Sequence, residues 1–154
     1  MKKNQIIATI ISTISIVIVA GLGSLFVNLG MEWFNLLSKP SQWIANIIIP
    51  IVWTIIYLCF AVINFLWIKK GGIPKKVWIL MIINGALNIL WCLLFFTLKL
   101  TFVGNIAIII NLIAGIILWI AIWNEEKLYS YILAIYPVWL AIATTLNTAL
   151  WILN

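Results

Sequence analysis

The chain has 154 residues, of which 66% are apolar and 8% charged, with no histidine, three acidic side chains and a net charge of +6. No water-soluble fold of this size can hide that much apolar surface. The near absence of ionisable groups also removes the usual means of hydrolytic, metal-dependent and proton-coupled chemistry.

Five uninterrupted apolar runs cover residues 6–29, 46–68, 77–98, 102–123 and 128–153, and none contains Asp, Glu, Lys or Arg in its interior. Each is long enough for a hydrocarbon core of about 30 Å, which takes about 20 helical residues. The runs lack the alternation that lipid-facing strands require. The predicted fold class is all-α, an integral membrane bundle of five transmembrane helices forming a single domain over residues 1–154.

The first run is preceded by Lys2 and Lys3, and Ala20-Gly21 falls within it as a cleavage site would in a signal peptide. It continues through Leu25, Phe26 and Val27, past a normal signal core, and is read as an uncleaved helix. Residues 30–45 follow as the longest connection, an external loop made amphipathic by Trp33, Phe34, Leu36, Leu37 and Trp43, with a turn at Ser38-Lys39-Pro40-Ser41. Trp33, Lys39, Pro40 and Trp43 are the expected lid on the bundle mouth.

In the second run Asn46, Pro50, Trp53, Tyr57, Ala61 and Asn64 share one helical face by their spacing of three and four. After a basic turn (Lys69, Lys70, Lys75, Lys76), the third run repeats the pattern with Asn84, Asn88, Trp91 and Phe95. The fourth carries the small-residue stripe Gly104, Ala107, Asn111 and Gly115, and the fifth Tyr136, Trp139, Ala143 and Asn147. The short links 99–101 and 124–127 make the last three helices antiparallel neighbours. Cys59 and Cys92 stand alone on different runs and read as small apolar fillers, so no metal site is expected.

The lysines mark topology rather than a nucleic-acid surface. Lys2, Lys3, Lys69, Lys70, Lys75, Lys76 and Lys127 lie on one side, and only Lys39 and Lys99 on the other. Over short loops this puts the N-terminus in the cytoplasm and the C-terminus outside, as expected in a bacterial plasma membrane. Of the ten tryptophans, Trp67, Trp78 and Trp123 at one surface and Trp33, Trp43 and Trp151 at the other occupy interfacial belt positions. Trp53, Trp91 and Trp139 lie well inside their helices.

Amides are costly against lipid, so the aromatic–amide faces point inward. Interhelical hydrogen bonding explains them as packing, while a cavity lined by indoles, phenols and amides explains them as a site for a flat apolar ligand with a few polar groups. Trp53, Trp91 and Asn147 fall in the outer half beneath the loop, which fits a lidded pocket opening outward.

The same residues resemble a known family. Lys39-Pro40-Ser41 followed by Pro50-Ile-Val-Trp53-Thr-Ile-Ile-Tyr57, then Leu87-Asn88-Ile-Leu-Trp91 with Phe95-Phe96, then Trp139-Leu-Ala-Ile-Ala143-Thr144-Thr-Leu146-Asn147 are similar to helices 2, 3 and 5 of the TspO/MBR family. These are the tryptophan-rich sensory proteins and translocator proteins. The segment Gln42-Trp43-Ile44-Ala45-Asn46 stands where the family usually has a tryptophan and paired prolines and is about one residue short, Tyr136 precedes Pro137 rather than following a proline, and no basic residue follows the last helix to complete the sterol motif of animal members.

The resemblance implies a five-helix receptor or translocator for protoporphyrin-like tetrapyrroles and hydrophobic drugs, functioning as a homodimer in tetrapyrrole handling or stress response. It implies that Trp53, Tyr57, Asn88, Trp91, Tyr136, Trp139, Ala143 and Asn147 line the cavity. Trp53 and Trp139 would stack on or edge the ring, with Tyr57, Asn88 and Asn147 bonding its polar groups. Without a histidine, a metal-free porphyrin suits such a site better than haem, as a ligand and not a required cofactor. Two alternatives remain open: a light- and oxygen-dependent porphyrin-degrading enzyme with Trp53 and Trp139 as the reacting indoles, and a passive transporter of hydrophobic small molecules.

Overall fold

A computed structural model describes residues 2–41 and 43–154; Gln42, the first residue of the departing segment 42–46, lies outside the described residues. The helices are α1 (Lys3–Leu36), α2 (Ile48–Lys70), α3 (Lys75–Cys92), α4 (Thr101–Glu125), α5 (Lys127–Ile132) and α6 (Ile135–Leu153), with a π-helical turn at Leu93–Thr97 extending α3. They make five membrane-length spans, α5 and α6 together forming the fifth. Large aliphatic side chains such as Ile7, Ile14, Leu58, Ile113 and Val138 face outward all round the bundle, as a lipid solvent allows.

Three features differ from the sequence expectation. First, α1 does not stop near residue 29 but continues through Leu36, shrinking the expected loop of residues 30–45 to residues 37–47. Gly30 and Phe34, one turn apart, are both buried, so this stretch earns its helix by packing on the π-helical turn. The helix ends where Pro40 disfavours helical geometry in the residue before it, and the Lys39 ammonium donates to the Phe34 carbonyl at 3.0 Å. Trp33 is therefore a helix residue, its ring 5.7 Å from Phe95, and not part of the loop.

Second, the third span does not end as a regular helix. Leu98 N–H donates to the Leu93 carbonyl at 2.9 Å and Leu100 N–H to the Leu94 carbonyl at 3.0 Å. The wider turn brings both Phe95 and Phe96 inside, although they are adjacent in sequence. Third, the fifth run breaks at Leu133-Ala134. Pro137 has no N–H to give the Leu133 carbonyl and its ring crowds that group, which instead accepts from Tyr136 N–H at 2.9 Å.

The helices form a ring in the order α1, α2, α5/α6, α4, α3, with α2 approaching the fifth span less closely than the other neighbours approach one another. Close seams are built on glycine: a Cβ on Gly104 would meet Phe95 Cβ at 2.8 Å, and one on Gly115 would meet Leu140 Cδ1 at 2.6 Å. At one end of the bundle, α2 closes on Gly71 and Gly72, both at positive φ, and the exposed Lys70–Glu126 pair spans 2.6 Å. Gln5 ties α1 to that corner by donating to the Ile68 carbonyl at 3.1 Å. This is the lysine end; the opposite, loop end carries residues 37–47.

Candidate functional site

The helical spacing read from the sequence brings the aromatic–amide faces of α2, α3 and α6 to the bundle interior, except that Asn46, which lies outside α2, and Pro50 are exposed. On α2, the Trp53 and Tyr57 rings lie 5.9 Å apart and 28° from parallel. Asn88 on α3 donates from Nδ2 to the Tyr57 hydroxyl at 3.3 Å. One turn on, Trp91 sits 6.5 Å from Trp53, centroid to centroid, and its Nε1 donates to Asn147 Oδ1 on α6 at 3.1 Å. The Tyr136 hydroxyl donates to Asn84 Oδ1 at 3.2 Å, while Asn84 Nδ2 donates to the Leu80 and Ala114 carbonyls at 2.8 and 3.2 Å. Asn84 thereby joins α3, α4 and α6.

These residues do not surround one outer-half pocket. They are divided between two spaces that share Trp53. The larger, about 420 Å³, lies between α1, α2 and α3 in the half toward the lysine end, and holds Trp53, Tyr57, Asn88 and Tyr136 together with Ser12, Asn64, Asn84 and Trp78. The smaller, about 50 Å³, lies under the loop and holds Trp43, Trp53, Trp91, Trp139, Ala143 and Asn147. Small-molecule sites occupy roughly 300–1,000 Å³, so only the larger has room for a ligand in this conformation.

The expected pocket under the loop is small because aromatic side chains fill it. Phe34, Trp91, Phe95 and Phe96 are all under one-tenth exposed; Trp91 stacks on Phe95 at 6.4 Å, and the other rings meet edge-on or tilted at 5.0–6.5 Å. The unanticipated extension of α1 delivers Phe34, and the π-helical turn delivers Phe95 and Phe96.

The loop is held down on this plug. Trp43 packs 5.9 Å from Phe34 and its Nε1 donates to Asn46 Oδ1 at 2.9 Å. The Lys39 ammonium also sits 4.8 Å from the Phe34 ring centroid, and Pro40 is half-buried. Ser38 and Asn154 clasp each other: Ser38 N–H donates to Asn154 Oδ1 at 2.9 Å and Asn154 Nδ2 to the Ser38 carbonyl at 3.1 Å.

The sequence reading assigned no site residue to the first helix, yet Ser12, Ser15, Ile16 and Val19 wall the larger space. The signal was faint: Ser12 and Ser15, three residues apart in a stretch that also holds Thr9 and Thr13, with Asn64 opposite donating from Nδ2 to Ser12 Oγ at 2.8 Å. Asn64 Oδ1 and Asn88 Oδ1 have no hydrogen-bond partner among the described residues, nor do Trp139 Nε1 and Asn147 Nδ2 at the smaller space. Apart from tyrosine, no ionisable side chain is among the described residues lining either space. Such an interior binds by stacking, apolar contact and neutral hydrogen bonds, because moving a charge into it is costly.

The fold and this interior define an integral membrane protein with a charge-free aromatic–amide core. The family model described as "TspO/MBR family" matches residues 11–152, and the chain belongs to that family. It is similar to the "Uncharacterized membrane protein YtaB" of Bacillus subtilis, 30% identical over 120 residues that cover 75% of this chain and 76% of that one. It is also similar to two proteins named "Tryptophan-rich protein TspO". That of Archaeoglobus fulgidus is 26% identical, covering 97% of this chain and 99% of the relative, and that of Bacillus cereus is 24% identical, covering 100% and 99%.

Proposed function

We propose that this protein is a membrane receptor and carrier for flat, largely apolar molecules of the tetrapyrrole class, bound in the larger chamber with one edge on Trp53. The observation that carries this reading is the chamber itself, about 420 Å³ with Trp53, Tyr57, Phe60, Trp78 and Tyr136 in its walls. Aromatic faces hold a conjugated ring at about 0.5–1.5 kcal/mol per pair beyond simple burial. Asn64 and Asn88 offer hydrogen bonds to its polar edge. With no histidine in the chain, axial ligation from that side chain plays no part, and a metal-free porphyrin is the better match. What family membership implies points to the same ligand class.

Seven lysines at the lysine end against Lys39 and Lys99 at the other support placing the lysine end in the cytoplasm of a bacterial cell.

The test is a titration of the detergent-purified protein with protoporphyrin IX in the dark, read by tryptophan quenching. Trp53→Phe and Tyr57→Phe should each weaken binding clearly, and Trp139→Phe, at the smaller space, should weaken it less. Affinity unchanged in Trp53→Phe would remove the ligand from this chamber. Illumination of the same sample then separates a receptor, whose porphyrin absorption persists, from a catalyst that consumes the ring.

A further inference from the structure

The larger chamber's route to water at the loop end is blocked, while its flank between α1 and α3 is not. Among its lining residues, Ile18, Ile82 and Ala86 also face outward to lipid, and all three belong to α1 or α3. The lining residues of α2 (Trp53, Ile56, Tyr57, Phe60 and Asn64) are all at least half-buried.

The seam between α1 and α3 explains the asymmetry. From its middle to the loop end it is closed by small residues that allow close approach. A Cβ on Gly85 would meet Val19 Cγ2 at 2.9 Å, one on Gly23 would meet Cys92 Sγ at 3.7 Å, and one on Gly30 would fall on the Phe96 carbonyl. Toward the lysine end the facing residues are Ser12 and Ser15 on α1 and Trp78, Met81 and Ile82 on α3, and all five line the chamber. The seam is zipped above Gly85 and parted below it. At the loop end the aromatic plug and the Ser38–Asn154 clasp stand between the chamber and water.

The chamber wall is not simply a greasy groove for acyl chains. Asn64 and Asn88 are 3% and 4% exposed, both line the chamber, and each keeps an amide oxygen without a partner among the described residues. A buried polar atom left unpaired keeps its desolvation cost, which a ligand carrying a donor, such as a pyrrole N–H or a hydroxyl, would offset and a hydrocarbon tail would not.

We propose, resting on the ligand-binding reading of this chamber, that its ligand arrives from the bilayer through the parted seam between α1 and α3, and not past the loop. The occupant is a membrane-dissolved molecule whose buried part bears hydrogen-bond donors but no charge.

The test uses the full chain in liposomes, with protoporphyrin IX supplied from donor vesicles and association followed by tryptophan quenching. Ser15→Phe and Ala86→Phe narrow the seam at its rim. Association and dissociation should both slow by about tenfold or more, as a raised barrier on a shared path demands. A disulfide across Ser38→Cys and Asn154→Cys, which locks the loop down, should leave both rates as in the uncrosslinked protein. Blocked association in the crosslinked protein with normal rates in the two Phe variants would overturn the route.

Absence of any porphyrin binding by the wild type would overturn the tetrapyrrole reading alone, and the seam is then tested without it. Phosphatidylcholine brominated on its acyl chains should quench Trp53, measured as wild type minus Trp53→Phe, and Ala86→Phe should reduce that quenching. No Trp53 quenching by the brominated lipid would show that the chamber is closed to the bilayer.

Discussion

Gly30 on α1 lies directly against the Phe96 carbonyl of the π-helical turn, so closely that the position has no room for a Cβ. This contact seats the end of α1 on α3 and sets Phe34 beside Phe96, 5.2 Å between ring centroids. Gly30→Ala should lower stability by about 1–3 kcal/mol or more, because backbone rather than a flexible side chain would have to move. Gly21, on the same helix, has nothing within 4 Å of a Cβ. There Gly21→Ala should be neutral or gain up to about 1 kcal/mol from helix propensity. Thermal unfolding of the two variants in detergent checks the contrast, and equal melting temperatures would contradict the close contact.

The Trp91–Asn147 hydrogen bond joins two side chains that are 7% and 3% exposed. Interhelical bonds of this kind in membranes average about 0.6 kcal/mol and reach about 1.7. Asn147→Ala should cost more than the bond alone, because it leaves the indole N–H buried without a partner. A double-mutant cycle with Trp91→Phe should give a coupling of about 0.6–1.7 kcal/mol. A coupling near zero would mean the two helices are held by packing alone.

What the sequence made legible was what period and hydropathy control. The five spans, the inward turn of Trp53, Tyr57, Asn88, Trp91, Trp139 and Asn147, and the antiparallel packing of the last three spans all follow from spacing within a run or the length of a link. What it left hidden depends on distances between helices. Whether the indoles and amides enclose space or fill it turns on Gly30, Gly85 and Gly104, which set how near the backbones approach, and on the extra residue in the turn that carries Phe95 and Phe96. The extension of α1 beyond residue 29 was hidden because Trp33 and Phe34 read as equally good loop cover and helix face. Ser12 and Ser15 carry little signal in the sequence, because a serine in an apolar helix readily bonds back to its own backbone, as Ser15 does to the Ile11 carbonyl at 2.9 Å.

The Ser38–Asn154 clasp predicts a local rather than global effect. Its residues are exposed or nearly so, so Asn154→Ala should change overall stability by less than about 1 kcal/mol, as is usual for surface positions. The amide of Ser38 loses its acceptor, and hydrogen exchange across residues 37–41 should speed up while exchange in the helix cores stays as it was. Unchanged exchange at Ser38 would show that the rest of the loop's packing, not the clasp, holds it down.

Pro137 separates stability from site geometry. Replacing it with alanine restores an N–H that can donate to the Leu133 carbonyl, letting α5 and α6 join into one helix. Pro137 is the third residue of α6, a first-turn position where proline costs far less than the roughly 3 kcal/mol of a helix interior, so Pro137→Ala gains stability only through the backbone bond regained when α5 and α6 join. The continuous helix, however, takes the Leu133 carbonyl away from Tyr136 N–H, now 2.9 Å from it, and turns the Tyr136 ring off Asn84, its partner at 3.2 Å. That bond is worth about 0.6–1.7 kcal/mol, the same size as the roughly 0.5–1.5 kcal/mol of the backbone bond regained, so the melting temperature should change little. Because Tyr136 and Asn84 both wall the larger chamber, protoporphyrin affinity should fall at the same time. A variant that melts lower and binds normally would mean that the break at Leu133-Ala134 is imposed by packing around it and not by the proline.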